Sequence, residues 1–271
     1  PVALLTLLLT IAGHCLAKTA PPAEFDADRN RLIAFILSQQ LPAQHFSHEP
    51  LNDDLSRKMF DLYLRQLDPR KRFLLQSDVS QLNAFATHVD DELKRGKIVL
   101  PDAGMELLND RIRQVERMVD PILDAGFDWE RKELLEVEPK KLEYAADMAA
   151  LRERWRLTLK MQVLDSYFDA LDAKRKEDPK SVVDIAPATH PQVIAEAVKK
   201  VRASTRRALA RLLQQSRQDH YDRYFDAVAR AFDPHTDYMA PTSKEDFDIQ
   251  MSGSLEGIGA LLREDEGLIK V

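Results

Sequence analysis

The sequence has few cysteines and glycines and no long hydrophobic run. It contains one cysteine and eight glycines in 271 residues, so a disulfide within the chain is excluded. Hydrophobic residues make up 44% of the chain, charged residues make up 31%, and the net charge is −6. This composition predicts a water-soluble, mainly α globular fold with enough apolar side chains to bury a core.

The longest apolar run lies at the start of the chain, in residues 2–12. It is shorter than the roughly 20 residues that span a bilayer, but it suits the centre of a signal peptide. We therefore expect residues 1–17 to be a signal peptide whose charged start is missing. A buried first helix is one alternative, and a lipid anchor at Cys15 is another that His14 disfavours. Cleavage after residue 17 would leave no thiol and no transmembrane span.

No complete catalytic or metal-binding motif occurs in the sequence. The seven histidines form no His-Glu-x-x-His pair, and neither Gly-x-Ser-x-Gly nor a phosphate-binding glycine loop is present. His45 and His48 are typical of a loop rather than of a metal site, and His235 suits a hydrogen bond in a turn. We therefore predict no metal, no cofactor and no catalytic residue in this chain.

One predicted helix has a basic face, whose members lie between Lys199 and Arg217. Nucleic-acid binding would use such a face. Because the whole chain is acidic, a face that is solvated or paired with carboxylates is favoured, and no nucleic-acid partner is predicted.

Apolar residues recur at three- and four-residue spacing through most of the chain, which predicts helices packed into one body. The widest stripe contains Trp155, which we interpret as a core residue, with a partner surface as the alternative. The predicted helices cover residues 31–41, 53–67, 77–96, 101–126, 147–176 and 191–228.

Two corners between helices have similar sequences, in residues 67–77 and 232–242. In each, an apolar-Asp-Pro turn ends one helix and an aromatic residue follows four positions after the proline. A capping residue then begins the next helix, and Thr242 with Glu245 forms the second capping box. The interpretation is two similar helix corners without a catalytic role.

A glycine pair follows the helical part of the chain. Gly257 and Gly259 flank Ile258, and this spacing lets consecutive backbone N–H groups point toward one anion. The terminal carboxylate of a peptide suits such a site when a strand edge follows. A plain tight turn is the alternative that these residues alone leave open.

Four stretches resemble one known family. They are residues 51–64, 67–78, 232–239 and 254–260. They resemble the tail-specific proteases, which are periplasmic carboxy-terminal processing peptidases of Gram-negative bacteria. The similarity covers most of the chain, and the last stretch resembles the family's run into its PDZ domain.

The resemblance implies a domain organisation and an activity. Residues 18–245 would form a multi-helix N-terminal domain, and residues 246–271 would form the first strands of a truncated PDZ domain. Family members grip the apolar C-terminus of a protein substrate in the PDZ groove and cleave with a serine nucleophile and a lysine base. Both catalytic residues would lie beyond this chain, which would be inactive alone.

The resemblance also implies a binding site and partners. Gly257, Ile258, Gly259 and Ala260 would bind the peptide carboxylate, and Leu261 and Leu262 would begin the strand that pairs with the peptide. The expected partners are protein substrates with apolar C-termini and an adaptor lipoprotein that docks on the helices. The alternative function is a secreted all-helical scaffold without catalytic activity.

Overall fold

The computed structural model describes residues 25–177 and 184–240, together with the backbone of residues 263–265 and 268–270. In the first two ranges the chain forms eight α-helices, which confirms the mainly α prediction. They are α1 (Ala27–Gln44), α2 (Asp53–Leu67), α3 (Gln76–Leu82), α4 (Val89–Arg95), α5 (Leu100–Ala125), α6 (Met148–Glu177), α7 (Pro191–Leu213) and α8 (Arg217–Phe232).

Two predicted helices are each divided in the structure, so their prediction as single helices is wrong. The predicted helix 77–96 is α3 and α4, which are separated by a short 3₁₀ turn at residues 83–85. Asn83, Thr87 and His88 have low helix propensity, which favours a break there. The predicted helix 191–228 is α7 and α8. The hydroxyl of Ser216 accepts from the Asp219 N–H at 3.2 Å, and the Asp219 carboxylate accepts from the Ser216 N–H at 2.7 Å.

The centre of the core lies where α2 packs against α8. The rings of Tyr63 and Tyr224 meet edge to face with their centroids 6.3 Å apart. Helix α5 approaches α2 closely at Gly104, where a Cβ atom would lie 2.1 Å from the Tyr63 hydroxyl. A larger residue at position 104 would therefore force these two helices apart.

Helices α6 and α7 form a second packed pair. The α6 stripe is buried along its length, and Trp155 is 2% exposed. The indole N–H of Trp155 donates to the Arg72 carbonyl at 2.7 Å. The interpretation of Trp155 as a core residue is confirmed, and the partner-surface alternative is wrong.

The chain ends are described in part. Strand β1 (Arg263–Asp265) pairs antiparallel with β2 (Leu268–Lys270), and Arg263 lies opposite Lys270. Residues 1–24 and 241–262 lie outside the described residues, as do the predicted signal peptide and the second capping box. Among the residues that were described, no helix is both long and apolar enough to cross a membrane.

Replacing Trp155 by alanine should lower the free energy of unfolding by about 3–5 kcal/mol, because a buried indole leaves a cavity and an unpaired carbonyl. Chemical denaturation followed by circular dichroism measures the change. Phe168→Ala is the matched control, since Phe168 lies on the same helix and is 42% exposed. It should cost about 1 kcal/mol or less. Equal costs for the two variants would contradict the core position of Trp155.

Candidate functional site

The predicted peptide-binding residues fall outside the part of the chain that the structure describes. They are Gly257, Ile258, Gly259, Ala260, Leu261 and Leu262. Strand β1 begins at Arg263, directly after the last of them. Their assignment to a carboxylate-binding loop and a peptide-pairing strand therefore stays a prediction.

The chain leaves α8 through a segment, residues 233–240, that is anchored on the helical body. The ring of Tyr238 packs on the ring of Phe225 with centroids 5.3 Å apart. The backbone N–H of Tyr238 donates to Asp226 Oδ1 at 3.3 Å. Arg230 forms ion pairs with both Asp226 and Asp237. The start of the connection to the predicted loop is thus held against α8.

His45 contributes to the same anchor. Its Nε2 lies 3.1 Å from the Thr236 hydroxyl, its Nδ1 lies 2.8 Å from the Ser47 hydroxyl, and its ring packs on Phe232. These contacts give His45 a structural role between α1 and the exit from α8. Across residues 25–177 and 184–240, no group of three or more His, Cys, Asp or Glu side chains could hold a metal ion.

The first Asp-Pro corner is held by one buried carboxylate. Asp68 is 2% exposed and ends α2. Its Oδ1 accepts from the Arg72 N–H, and its Oδ2 accepts from the Phe73 and Leu74 N–H groups, each at 2.9 Å. Burial raises the pKa of Asp68, and the three N–H groups oppose this rise because they favour the charged form. The carboxylate thereby fixes the direction in which the chain leaves α2.

The aspartate of the second Asp-Pro corner accepts fewer backbone hydrogen bonds than Asp68 does. Asp233 ends α8, and its Oδ1 accepts from the His235 N–H at 2.8 Å. Both Asp-Pro pairs end a helix, as predicted, but the first is buried and makes more hydrogen bonds, and the capping residue of the second corner lies outside the described residues. Sequence reasoning missed this difference, because an Asp-Pro pair does not show how many N–H groups turn toward the carboxylate.

A second buried carboxylate joins α4 to α5. Glu92 Oε1 accepts from the N–H groups of Val99 and Leu100 at 3.1 and 3.2 Å. Burial raises the pKa of Glu92 to about 7. With the residue 8% exposed, the carboxyl caps the start of α5 and has no room for a substrate. No signal in the sequence distinguishes Glu92 from the exposed acids around it.

The pKa of His220 on α8 is shifted in the opposite direction, below its ordinary value. The residue is 1% exposed, and burial foremost, followed by the positive charge of Arg223, lowers its pKa to about 4. The Nδ1 atom lies 3.1 Å from Arg223 Nη1. His220 is therefore a neutral core histidine near pH 7.

The basic face of α7 is paired with acids of α5. Arg202 contacts Asp120 and Asp124 at 2.8 and 2.6 Å, and Arg206 also contacts Asp120. This confirms the acid-paired interpretation for these residues. Arg217 was predicted on the same helix, but it is the first residue of α8 and pairs with Asp102 at 2.6 Å.

Comparison with known proteins identifies the family. Residues 37–242 match the family model described as the tail specific protease N-terminal domain. The chain belongs to this family. Over 266 residues it is 25% identical to the tail-specific protease of Haemophilus influenzae (strain ATCC 51907 / DSM 11121 / KW20 / Rd), an alignment that covers 96% of this chain and 35% of the relative. The chain thus spans about a third of the length of that relative.

The matched residues include both Asp-Pro corners, the anchored exit from α8 and the core formed by α2 and α8. The predicted carboxylate-binding loop at residues 257–260 and the predicted strand start at residues 261–262 lie after the matched residues. The family resemblance expected from the sequence is therefore confirmed for the helical body.

Replacing Glu92 by glutamine should change how stability depends on pH. The folded pKa is about 7 against an ordinary value of 4.5. The folded state therefore holds the proton more firmly, and the free energy of unfolding falls as pH rises through this window. Because glutamine does not titrate, the variant should gain up to roughly 3 kcal/mol relative to the parent between about pH 5 and pH 8.

Chemical denaturation of both proteins at each pH measures this gain. The comparison is needed because His220, whose folded pKa is lowered to about 4 from 6.5, makes the parent more stable as pH rises through that range. The effect of His220 on the pH dependence of stability is opposite in sign to that of Glu92. It is present in both proteins, so it cancels when the free energy of unfolding of the parent is subtracted from that of the variant. A difference between variant and parent that does not change with pH would contradict the assignment to Glu92.

Proposed function

We propose that the chain is the N-terminal part of a periplasmic serine-type endopeptidase that recognises the apolar C-termini of protein substrates. The observation that carries this proposal is the family match over residues 37–242. In the proposed organisation, residues 18–245 are the helical domain, residues 246–271 begin a PDZ domain, and residues 1–17 direct secretion. The similarity to a tail-specific protease over 96% of the chain supports the same organisation.

The proposed recognition step uses the glycine pair. Gly257, Ile258, Gly259 and Ala260 would turn their backbone N–H groups toward the terminal carboxylate of the substrate. The substrate would then add as a strand beside Leu261 and Leu262, and apolar pockets would select its last side chains. The exit segment anchored by Tyr238 precedes this loop in the sequence and is held against α8.

The proposed cleavage step uses residues outside this chain. A serine would attack the substrate carbonyl, and a lysine kept neutral by desolvation would accept the serine proton. No residue of the helical body takes part in this chemistry. Its proposed role is to position the PDZ domain and to offer a docking surface to substrates or to an adaptor lipoprotein.

Degradation by the full gene product that contains this sequence tests the proposal. A loosely folded substrate with an apolar C-terminal tail should be degraded, because the tail reaches the PDZ groove. The same substrate with a charged tail should be spared. Gel electrophoresis over time measures both. Equal degradation of the two substrates would contradict tail recognition, and no degradation of either would favour the scaffold function.

Gly257→Val in the same full-length protein tests the loop itself. A valine side chain and its restricted backbone should prevent the N–H groups from converging, so binding of an apolar C-terminal peptide should be lost. Gly253→Val is the matched control, since it adds the same side chain four residues earlier. Fluorescence anisotropy with a labelled peptide measures binding, and circular dichroism checks the helical content. Normal binding by the Gly257 variant would remove the loop assignment.

A further inference from the structure

A groove lined by arginines opens beside the Asp68 corner. One depression lies between this corner, residues 135–142 and α6. A second, larger one lies between the corner, α6 and α7. The two share Arg72 and Gln162 in their walls. We call them together the Arg72 groove.

The cations of this groove have no carboxylate partner among the residues that the structure describes. Arg72 Nε is buried and makes no hydrogen bond. The guanidinium of Arg154 donates to the backbone carbonyls of Lys71 and Glu143, and Arg70 is exposed at the rim. By contrast, Arg111 and Arg156 elsewhere on the body form ion pairs with carboxylates.

The nearest acids offset the groove's positive charge only in part, because Asp68, whose negative charge favours the charged forms of Arg72 and Arg154, is one carboxylate against several arginines. Asp68 is buried, and its carboxylate accepts three backbone N–H groups. Glu136 is the acid in the walls of the first depression, and its Oε1 accepts the Glu138 N–H at 2.8 Å. Burial lowers the pKa of Arg72, the positive charge of Arg70 adds to this effect, and the negative charge of Asp68 opposes it. The groove is therefore a site of excess positive charge on a chain whose net charge is −6.

Arg72 is also held in one orientation. Its guanidinium lies 4.4 Å from the centroid of the Trp155 ring, and Trp155 is fixed by burial and by its hydrogen bond to the Arg72 carbonyl. Stacking on an aromatic ring leaves the two Nη groups of the guanidinium as a planar pair of donors for one carboxylate, since Nε is buried. A lysine could not present this planar pair of donors.

The groove has apolar walls beside its cations. Met161 is 38% exposed and Val137 is 64% exposed, and both line the first depression with Leu142. A ligand that fits both features carries carboxylates next to apolar side chains. A polypeptide segment of mixed acidic and apolar residues has this chemistry.

We propose that the Arg72 groove binds the side-chain carboxylates of an acidic segment within a polypeptide. The contact is separate from the predicted recognition of a terminal carboxylate at residues 257–260. In the proposed function, this groove would make a second contact with the substrate, at a segment away from the C-terminus of the substrate. The identity of the peptide as a protease substrate rests on the proposed function, but binding in the groove does not.

Peptide binding to the 271-residue chain tests the inference. The probe is a fluorescein-labelled octapeptide of alternating glutamate and leucine with an amidated C-terminus, so that a terminal carboxylate plays no part. Fluorescence anisotropy measures its affinity. Arg70→Glu and Arg72→Gln should each weaken binding about tenfold or more, because each removes a charge-assisted hydrogen bond.

Arg113→Glu is the matched control. Arg113 is an exposed residue of α5, outside the walls of the groove, and its replacement changes the net charge as much as Arg70→Glu does. It should leave binding unchanged within about twofold. Because Arg70 is exposed, Arg70→Glu should fold normally even if Arg72→Gln does not, and thermal melting checks both variants.

Three further probes separate the proposed ligand from other anions. An octapeptide with glutamine in place of glutamate should bind at least about tenfold more weakly. An apolar peptide with a free C-terminal carboxylate should not compete, and neither should a single-stranded oligonucleotide of similar charge. Equal loss of binding in the Arg70 and Arg113 variants, equal binding of the glutamine peptide, or stronger binding of the oligonucleotide or of the free C-terminus would overturn the inference.

Discussion

The arrangement of the helical body depends on the carboxylate of Asp68, which is buried at the end of α2. By accepting the N–H groups of Arg72, Phe73 and Leu74, it turns the chain sharply after Pro69. This turn places Leu74 in the core at 0% exposure. It also brings the Arg72 carbonyl to the indole N–H of Trp155, which connects α2 to the long helix α6. A buried carboxylate is costly unless its hydrogen bonds are made, so the turn has little freedom to take another shape.

The same corner links the fold to both proposals. With α6 fixed to α2, and α2 packed on α8, the exit segment at Tyr238 starts from a defined place on one body. The predicted carboxylate-binding loop follows that segment in sequence. The Asp68 corner also places the guanidinium of Arg72 over the ring of Trp155. The helical body therefore anchors the segment that precedes the predicted carboxylate-binding loop in sequence, and it carries the groove for which we propose peptide binding.

Sequence patterns predicted the parts of the fold that depend on local periodicity. The bounds of α2 and the burial of Trp155 followed from apolar spacing alone. The break between α7 and α8 was missed, although the capping box from Ser216 to Asp219 was a readable signal. The properties of Glu92 and His220 could not be predicted, because burial by distant helices shifts their pKa values. The Arg72 groove also requires four segments of the chain, which are the Asp68 corner, residues 135–142, α6 and α7, and no local pattern shows that they meet.

Native-state hydrogen exchange at the Asp68 corner tests the central claim most directly. The amides of Arg72, Phe73 and Leu74 should exchange as slowly as core amides of α2, with opening free energies within about 1 kcal/mol of global unfolding. The amide of His235 provides the internal comparison, since it lies in an exposed corner and donates to Asp233; it should exchange much faster. Rapid exchange at all four amides would show that the Asp68 turn opens locally, and would contradict its role in holding the helices together.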